Sequence, residues 1–325
     1  MTAARQCRAL AIVIMALGLG LSALMIPPAM AAPSASSAPS ASSAGPSTDS
    51  CAPGQLRRTP PKDRLAMLRD HAPVAASRVM PVKTPELAEL VRALPARVQI
   101  PVRVHVIRGK HRGESGPARP KVRAMIRTLN AGFAGAQSSD SAPTRFRFVL
   151  KSINYTKNDS WYHAYNFNRA DVRAKNRLHR GGKRTLNVFI NGGGERAQPV
   201  LGWSRLPWQR ARSPKLDGVS VNVAALPGGR AANYNLGDTI IHETGHWLGL
   251  LHPWQGGCSE PNDGVGDTPQ TAGPSYYCDE DSDTCRAPGL DPIHNFMNYS
   301  YDVCLNQFTP GQVARMDRMW AGWRS

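Results

Sequence analysis

Aromatic side chains are scarce in this chain of 325 residues, at 7% of the total, and they are not interleaved with the basic residues. Acids are scarce too: 23 Asp and Glu stand against 40 Lys and Arg, a formal net charge of +17. A basic chain invites a nucleic-acid reading. Stacking platforms, however, need aromatics among the cations, and no nucleic-acid-binding motif is present. The charge is read as solubility or affinity for anionic surfaces, and no nucleic-acid partner is expected. Cysteine is limited to six. Beyond residue 26 no apolar run is long enough to span a bilayer, so no membrane anchor is expected.

The one long apolar run, 9–26, follows Arg5 and Arg8 and precedes Ala29-Met30-Ala31. A basic start, an apolar centre and a small-residue cleavage site describe a secretory signal peptide over 1–31. Pro27 and Pro28 oppose a retained anchor, and no cysteine follows the run for lipid attachment. Export places the mature chain outside the cell, where disulfides persist. Cys7 leaves with the signal. Cys258, Cys278, Cys285 and Cys304 cluster near the C-terminus, so two disulfides are expected, and sequence alone allows three pairings. Cys51 is the odd thiol. It can be a free thiol, an intermolecular bridge, a partner in a different pairing, or a zinc ligand that keeps a zymogen latent.

Residues 33–50 are a Ser/Ala/Pro tract that cannot pack. With 51–95 they make a linker and propeptide over 32–95, in which Leu87, Leu90, Val91 and Leu94 share a helical face. A single larger domain then spans 96–325. Val98, Ile100, Val102, Val104 and Val106 alternate as a half-buried strand. Val122, Met125, Ile126, Leu129 and Phe133 recur at helical spacing. Strands over 145–153, 185–190 and 217–223 and a helix over 169–179 complete an α/β pattern, a mixed twisted sheet backed by helices. Trp203 and Trp208 sit in a Gly/Pro-rich loop and read equally as core or as part of an edge strand.

The chemistry is concentrated in 238–252, which reads Asp-Thr-Ile-Ile-His-Glu-Thr-Gly-His-Trp-Leu-Gly-Leu-Leu-His. His242 and His246 are one helical turn apart on one face and can share a metal ion. Were the helix to continue, His252 would lie about 15 Å along the axis from His242. It must therefore stop, and Gly249 is where the backbone can adopt positive φ and turn. Pro253 blocks resumption. Three imidazoles and a water make an open catalytic zinc site. Glu243, next to the first ligand, can reach that water without binding the metal. Asp238 or a neighbour is expected to cap this helix.

His242-Glu243-x-x-His246-x-x-Gly249-x-x-His252 resembles the zinc motif of the metzincin endopeptidases, and Asn295-Phe296-Met297-Asn298-Tyr299-Ser300 resembles their Met-turn. The latter segment and the cysteine-rich stretch before it are most similar to the pappalysin branch. The resemblance implies a two-subdomain zinc protease, 96–252 and 253–325, whose irregular C-terminal subdomain is stapled by disulfides. It implies the pairings Cys258–Cys285 and Cys278–Cys304, Met297 as an apolar floor, and Tyr299 facing the zinc. It also implies an edge strand that pairs with extended substrate. Calcium is a second cation it suggests, at Asp263, Asp267 and Thr268, where a solvated acidic loop is the rival reading. Asp302 is the candidate pocket acid for basic residues on the primed side. From residue 255 onward ten acids face four Lys and Arg, which is consistent with that preference. His294 reads as a surface or core histidine rather than a fourth ligand. The function expected is a secreted, monomeric zinc endopeptidase acting on proteins or peptides. The alternative is a secreted binding or adhesion module that keeps the zinc fold with little turnover.

Overall fold

The computed structural model describes residues 85–194, 200–259 and 261–325. The signal segment, the Ser/Ala/Pro tract and Cys51 lie outside the described residues.

Among the described residues five strands form one sheet in the order β2-β1-β3-β5-β4. β1 (Val98–Arg108) runs parallel to β2 (Phe146–Lys157) and to β3 (Leu186–Asn191). β5 (Val219–Asn222) runs parallel to β3. β4 (Gly202–Ser204) is antiparallel to β5 and closes that edge. The β1–β2 register shifts after Val102, where β2 carries one extra residue.

The alternation in β1 divides the two faces. Val98, Ile100, Val102, Val104 and Val106 are all buried in the main core. They meet α2 (Arg119–Phe133) through Val122, Met125 and Leu129, and α5 (Asp238–Trp247) through Ile240 and Ile241. On the other face Ile107 packs with Tyr162 of the short α3 (Asp159–Tyr162) and Ala174 of α4 (Arg169–Leu178). α3 was not marked by any periodicity; Asn158 begins it by accepting from the Trp161 N–H. α1 (Pro85–Arg92) packs on α6 (Pro310–Trp323) and buries Leu87, while Leu90 is 49% exposed, so the expected apolar face is narrower than its spacing suggests. Trp203 of β4 is fully buried core, and Trp208 is half-buried.

After His252 the chain is irregular until α6. Cys258 is bonded to Cys285 and Cys278 to Cys304, the pairings the resemblance implied. Each bridge closes a loop of 27 or 26 residues, which by unfolded-state entropy contributes about 3–4 kcal/mol.

The C-terminal residues clamp the end of α5. Arg324 is fully buried, stacks 3.6 Å over the Trp247 ring and donates to the Trp247 carbonyl. Its guanidinium also forks onto both oxygens of buried Asp217, at 2.9 and 3.0 Å. Trp247 Nε1 donates to the same carboxylate. Arg324→Ala would leave the Asp217 charge buried with its main partner gone. The expected loss is about 3–5 kcal/mol, read as a lower midpoint in urea unfolding. A midpoint equal to wild type would show that this clamp is not structural.

Candidate active site

α5 holds two of the motif histidines, and every residue in it is buried. Of the expected caps, Asp238 or a neighbour, the neighbour holds the position, and Asp238 is the first helical residue. Gly237 is the N-cap residue with φ +101°, and the carboxylate that serves the helix start comes from Asp302. Its Oδ2 accepts from the N–H groups of Leu236 at 2.8 Å, Gly237 at 3.1 Å and Asp238 at 3.5 Å. Asp238 instead turns its side chain toward the cavity beside the motif.

At the other end the helix stops after Trp247. Gly249 adopts φ +97°, and a Cβ there would lie 2.4 Å from Met319 Cγ. Both observations require glycine. The Gly249 carbonyl is held at 2.7 Å by Nε of the fully buried Arg315 from α6. The reversal brings His252 back to the helix.

The three imidazoles converge. His246 Nε2 is 3.1 Å from His242 Nε2 and 3.1 Å from His252 Nε2. His242 Nδ1 donates to the Phe296 carbonyl and His246 Nδ1 to the Leu250 carbonyl, both at 2.8 Å. With the proton on Nδ1, each Nε2 presents a bare lone pair to its neighbour. Lone pairs crowded to 3.1 Å repel unless a cation lies among them. Ligand nitrogens about 2.0–2.1 Å from one tetrahedral zinc stand roughly 3.3 Å apart. The donor set and spacing therefore fit zinc. His252 is oriented differently, by Trp254 stacked on its ring at 4.3 Å and 9°.

The floor comes from the turn before α6. Met297 is fully buried, and its Sδ lies so close to Gly245 that a Cβ there would be 2.4 Å away. Asn295 Oδ1 accepts the Met297 N–H and also the Gln312 amide, while the Asn295 amide donates back to Gln312. Gln312 belongs to the capping box that starts α6 with Thr309. The Met-turn is thus fastened to that helix.

Glu243, His242, Tyr299, Asp238 and Asp302 line one cavity of about 40 Å³ with Gly202 of β4. Tyr299 also sits edge-on to the His252 and Trp254 rings. Burial first, and then the neighbouring Asp302 charge, push the Asp238 carboxyl up to about 8. Burial raises Asp302 less, to about 6, because the backbone N–H groups of Leu236, Gly237 and Asp238 favour its charged form.

The remaining sequence candidates lie elsewhere. His294 Nδ1 donates to the Cys304 carbonyl and its Nε2 lies 2.9 Å from Glu280 Oε2, outside the group of three motif histidines. Asp267 spends both oxygens at the start of α6, on Thr309 Oγ1 and Gly311 N–H at 2.7 Å each. Asp263 is buried, accepts from Val265 N–H, and is pushed up to about 7 by burial.

Residues 177–321 match the family model described as pregnancy-associated plasma protein-A. The chain is 35% identical to an extracellular metalloprotease of Pyricularia oryzae, over 78% of this chain and 86% of that protein. It is 37% identical to extracellular metalloprotease 1 of Coccidioides posadasii, over 71% and 80%. Among solved structures, Tannerella forsythia promirolysin superposes with a TM-score of 0.61 and 26% identity, over 73% of this chain and 85% of that one. Mature mirolysin in complex with a cleaved peptide gives 0.57 and 26%, over 70% and 97%. With three imidazoles poised as above and this extent of likeness, the chain belongs to the pappalysin branch of the metzincins and is a zinc metalloendopeptidase.

Proposed function

We propose that this protein is a secreted endopeptidase in which His242, His246 and His252 hold one catalytic zinc and Glu243 is the general base. The observation that carries the reading is the convergence of three Nε2 atoms beside a cavity that Glu243 and Tyr299 both line. Zinc, when held there, supplies Lewis-acid polarisation of a water and of the scissile carbonyl.

The protein's own groups do the rest. The Phe296 and Leu250 carbonyls keep the His242 and His246 rings in one tautomer and orientation. Glu243 takes a proton from the attacking water and delivers it to the leaving amine. Tyr299 donates a hydrogen bond to the carbonyl oxygen as negative charge grows on it. β4 lies against Glu243, since a Cβ on Gly202 would come within 2.7 Å of the Glu243 carboxylate. Its outer edge is free of other strands among the described residues, and an extended substrate adds there as a further strand.

Asp302 faces the same cavity and gives it a negative charge suited to Lys or Arg on the primed side of the cut. Calcium at Asp263, Asp267 and Thr268 fits the buried Asp263 carboxyl, with Asp267 also accepting from the start of α6. Proteins and peptides are the substrates, and no helix among the described residues is long and apolar enough to cross a membrane.

Glu243→Ala is expected to keep its zinc while casein hydrolysis falls about 10³-fold, within the range for a lost general base. Wild-type turnover in that variant would remove the assignment, and a wild-type protein inert toward casein and gelatin would favour the binding-module reading.

The Asp302 carboxyl also sets a pH dependence. Its pKa is raised to about 6, so it is neutral below that pH and charged above it. Preference for Lys or Arg over Leu after the cut, measured as a ratio of kcat/KM, should therefore rise as pH goes from about 5 to 7. A ratio flat across that window would disconnect Asp302 from selectivity.

A further inference from the structure

We propose that His111, Glu114, Asp159 and His163 form a second transition-metal site, separate from the catalytic triad, which takes a zinc-like divalent cation. His111, Glu114 and Asp159 each offer a ligand atom, and these atoms lie within 4.8 Å of one another. His163 borders this group on its carboxylate side: its Nε2 is 3.6 Å from Glu114 Oε1 and 3.8 Å from Asp159 Oδ1, and a modest shift of its ring would bring it in as a fourth ligand.

Those separations are informative. They exceed the 2.7–3.2 Å of an N–H···O hydrogen bond. They are close to the roughly 3.3 Å or more expected between two ligands sharing a metal at about 2.0–2.1 Å. The imidazole and the two carboxylates surround a point rather than bond to each other.

Glu114 is built into place. It is 5% exposed, unusual burial for a glutamate. The loop after β1 wraps around it: Gly109 N–H donates to its carbonyl, and His111 N–H donates to its Oε2. A Cβ on Gly109 would meet that oxygen at 2.0 Å, so the turn leaves room for the carboxylate only because residue 109 has no side chain. Oε1 is thereby directed at His163. Asp159 is divided in the same way. Lys110 Nζ pairs with Oδ2 at 3.0 Å in an exposed contact, while Oδ1 accepts the Lys110 N–H at 3.2 Å and is the oxygen nearer His163.

Two imidazoles and two carboxylates select zinc or a neighbouring first-row ion. Calcium needs six to eight oxygen ligands, more than this set provides. A metal here would tie the loop after β1 to α3, elements about fifty residues apart in sequence. Glu114 and His163 also line a cavity of about 340 Å³ together with Leu201, and Leu201 is a wall of the catalytic cavity as well. The second ion would stiffen that shared wall.

The test counts metal. The purified full chain is stripped with chelator, dialysed and titrated with ZnCl₂. Two equivalents per chain are expected for wild type, one for His111→Ala/His163→Ala, and one for His242→Ala/His246→Ala. Thermal unfolding should rise with the second equivalent in wild type and not in His111→Ala/His163→Ala. If that double variant fails to fold, His111→Gln alone, at an exposed position, is expected to weaken the second equivalent at least 10-fold. Wild type saturating at one zinc would overturn the proposal, as would an undiminished second equivalent in the His111 variants.

Discussion

Two backbone carbonyls decide whether the centre of this protein can work at all. The oxygens of Phe296 and Leu250 take the Nδ1 protons of His242 and His246 and leave each Nε2 bare. Without them a ring can flip or change tautomer, and a buried imidazole that points the wrong nitrogen inward is useless as a ligand. The two carbonyls have different origins. One is in the Met-turn, and the other follows the glycine reversal. The helix therefore supplies the ligands, but segments outside it determine which nitrogen each ligand offers.

Those segments are in turn fixed by α6. Gln312 pairs with Asn295 beside the first carbonyl, and Arg315 pins Gly249 one residue before the second. Met319 packs where a Gly249 side chain would be, and Arg324 closes the end of α5 through Trp247 and Asp217. Most of these groups are fully buried, so each hydrogen bond lost would leave a desolvated polar atom. α6 and the residue after it are thus the support for a motif some sixty residues earlier. Disulfides hold the irregular stretch between the two, which has little periodic structure of its own.

Local pattern made the central parts legible. The alternation in 98–106 and the helical spacing from Val122 to Phe133 each repeat within one element, and both fall in the core. The ligand spacing and the need for a turn at Gly249 follow from helix geometry alone. Pairings across long separations were not legible from residues by themselves. Four cysteines permit three disulfide patterns, and only the family likeness favoured the one seen. Asp302 lies more than sixty residues from the helix whose N–H groups it accepts, so Asp238, adjacent in sequence, was the natural candidate for a cap. Asp267, a candidate cation ligand, accepts from Thr309 and Gly311 at the start of α6, a contact over forty residues that no local pattern marks. The His111, Glu114, Asp159 and His163 cluster spans two segments with no motif between them. Leu90 has the right spacing for burial, yet it is 49% exposed, and spacing alone does not say what a face packs against.

In the proposed reading, the position of Asp302 links selectivity to stability. Two buried carboxyls face one cavity, and both cannot be charged at low cost. What separates them is the backbone: Asp302 accepts from three N–H groups at the start of α5, whereas Asp238 has a 3.5 Å contact with the Gln137 amide. They are the N–H groups of Leu236 and Gly237, which lead into the helix, and of Asp238, its first residue, beside the positive end of the helix dipole. The negative charge therefore resides on Asp302, at the foot of the helix bearing the two ligands. A basic side chain entering the cavity would meet a charge that the fold already requires for its own helix. Changing that residue to alter selectivity would also uncap α5, so the pocket acid and the metal geometry cannot vary independently.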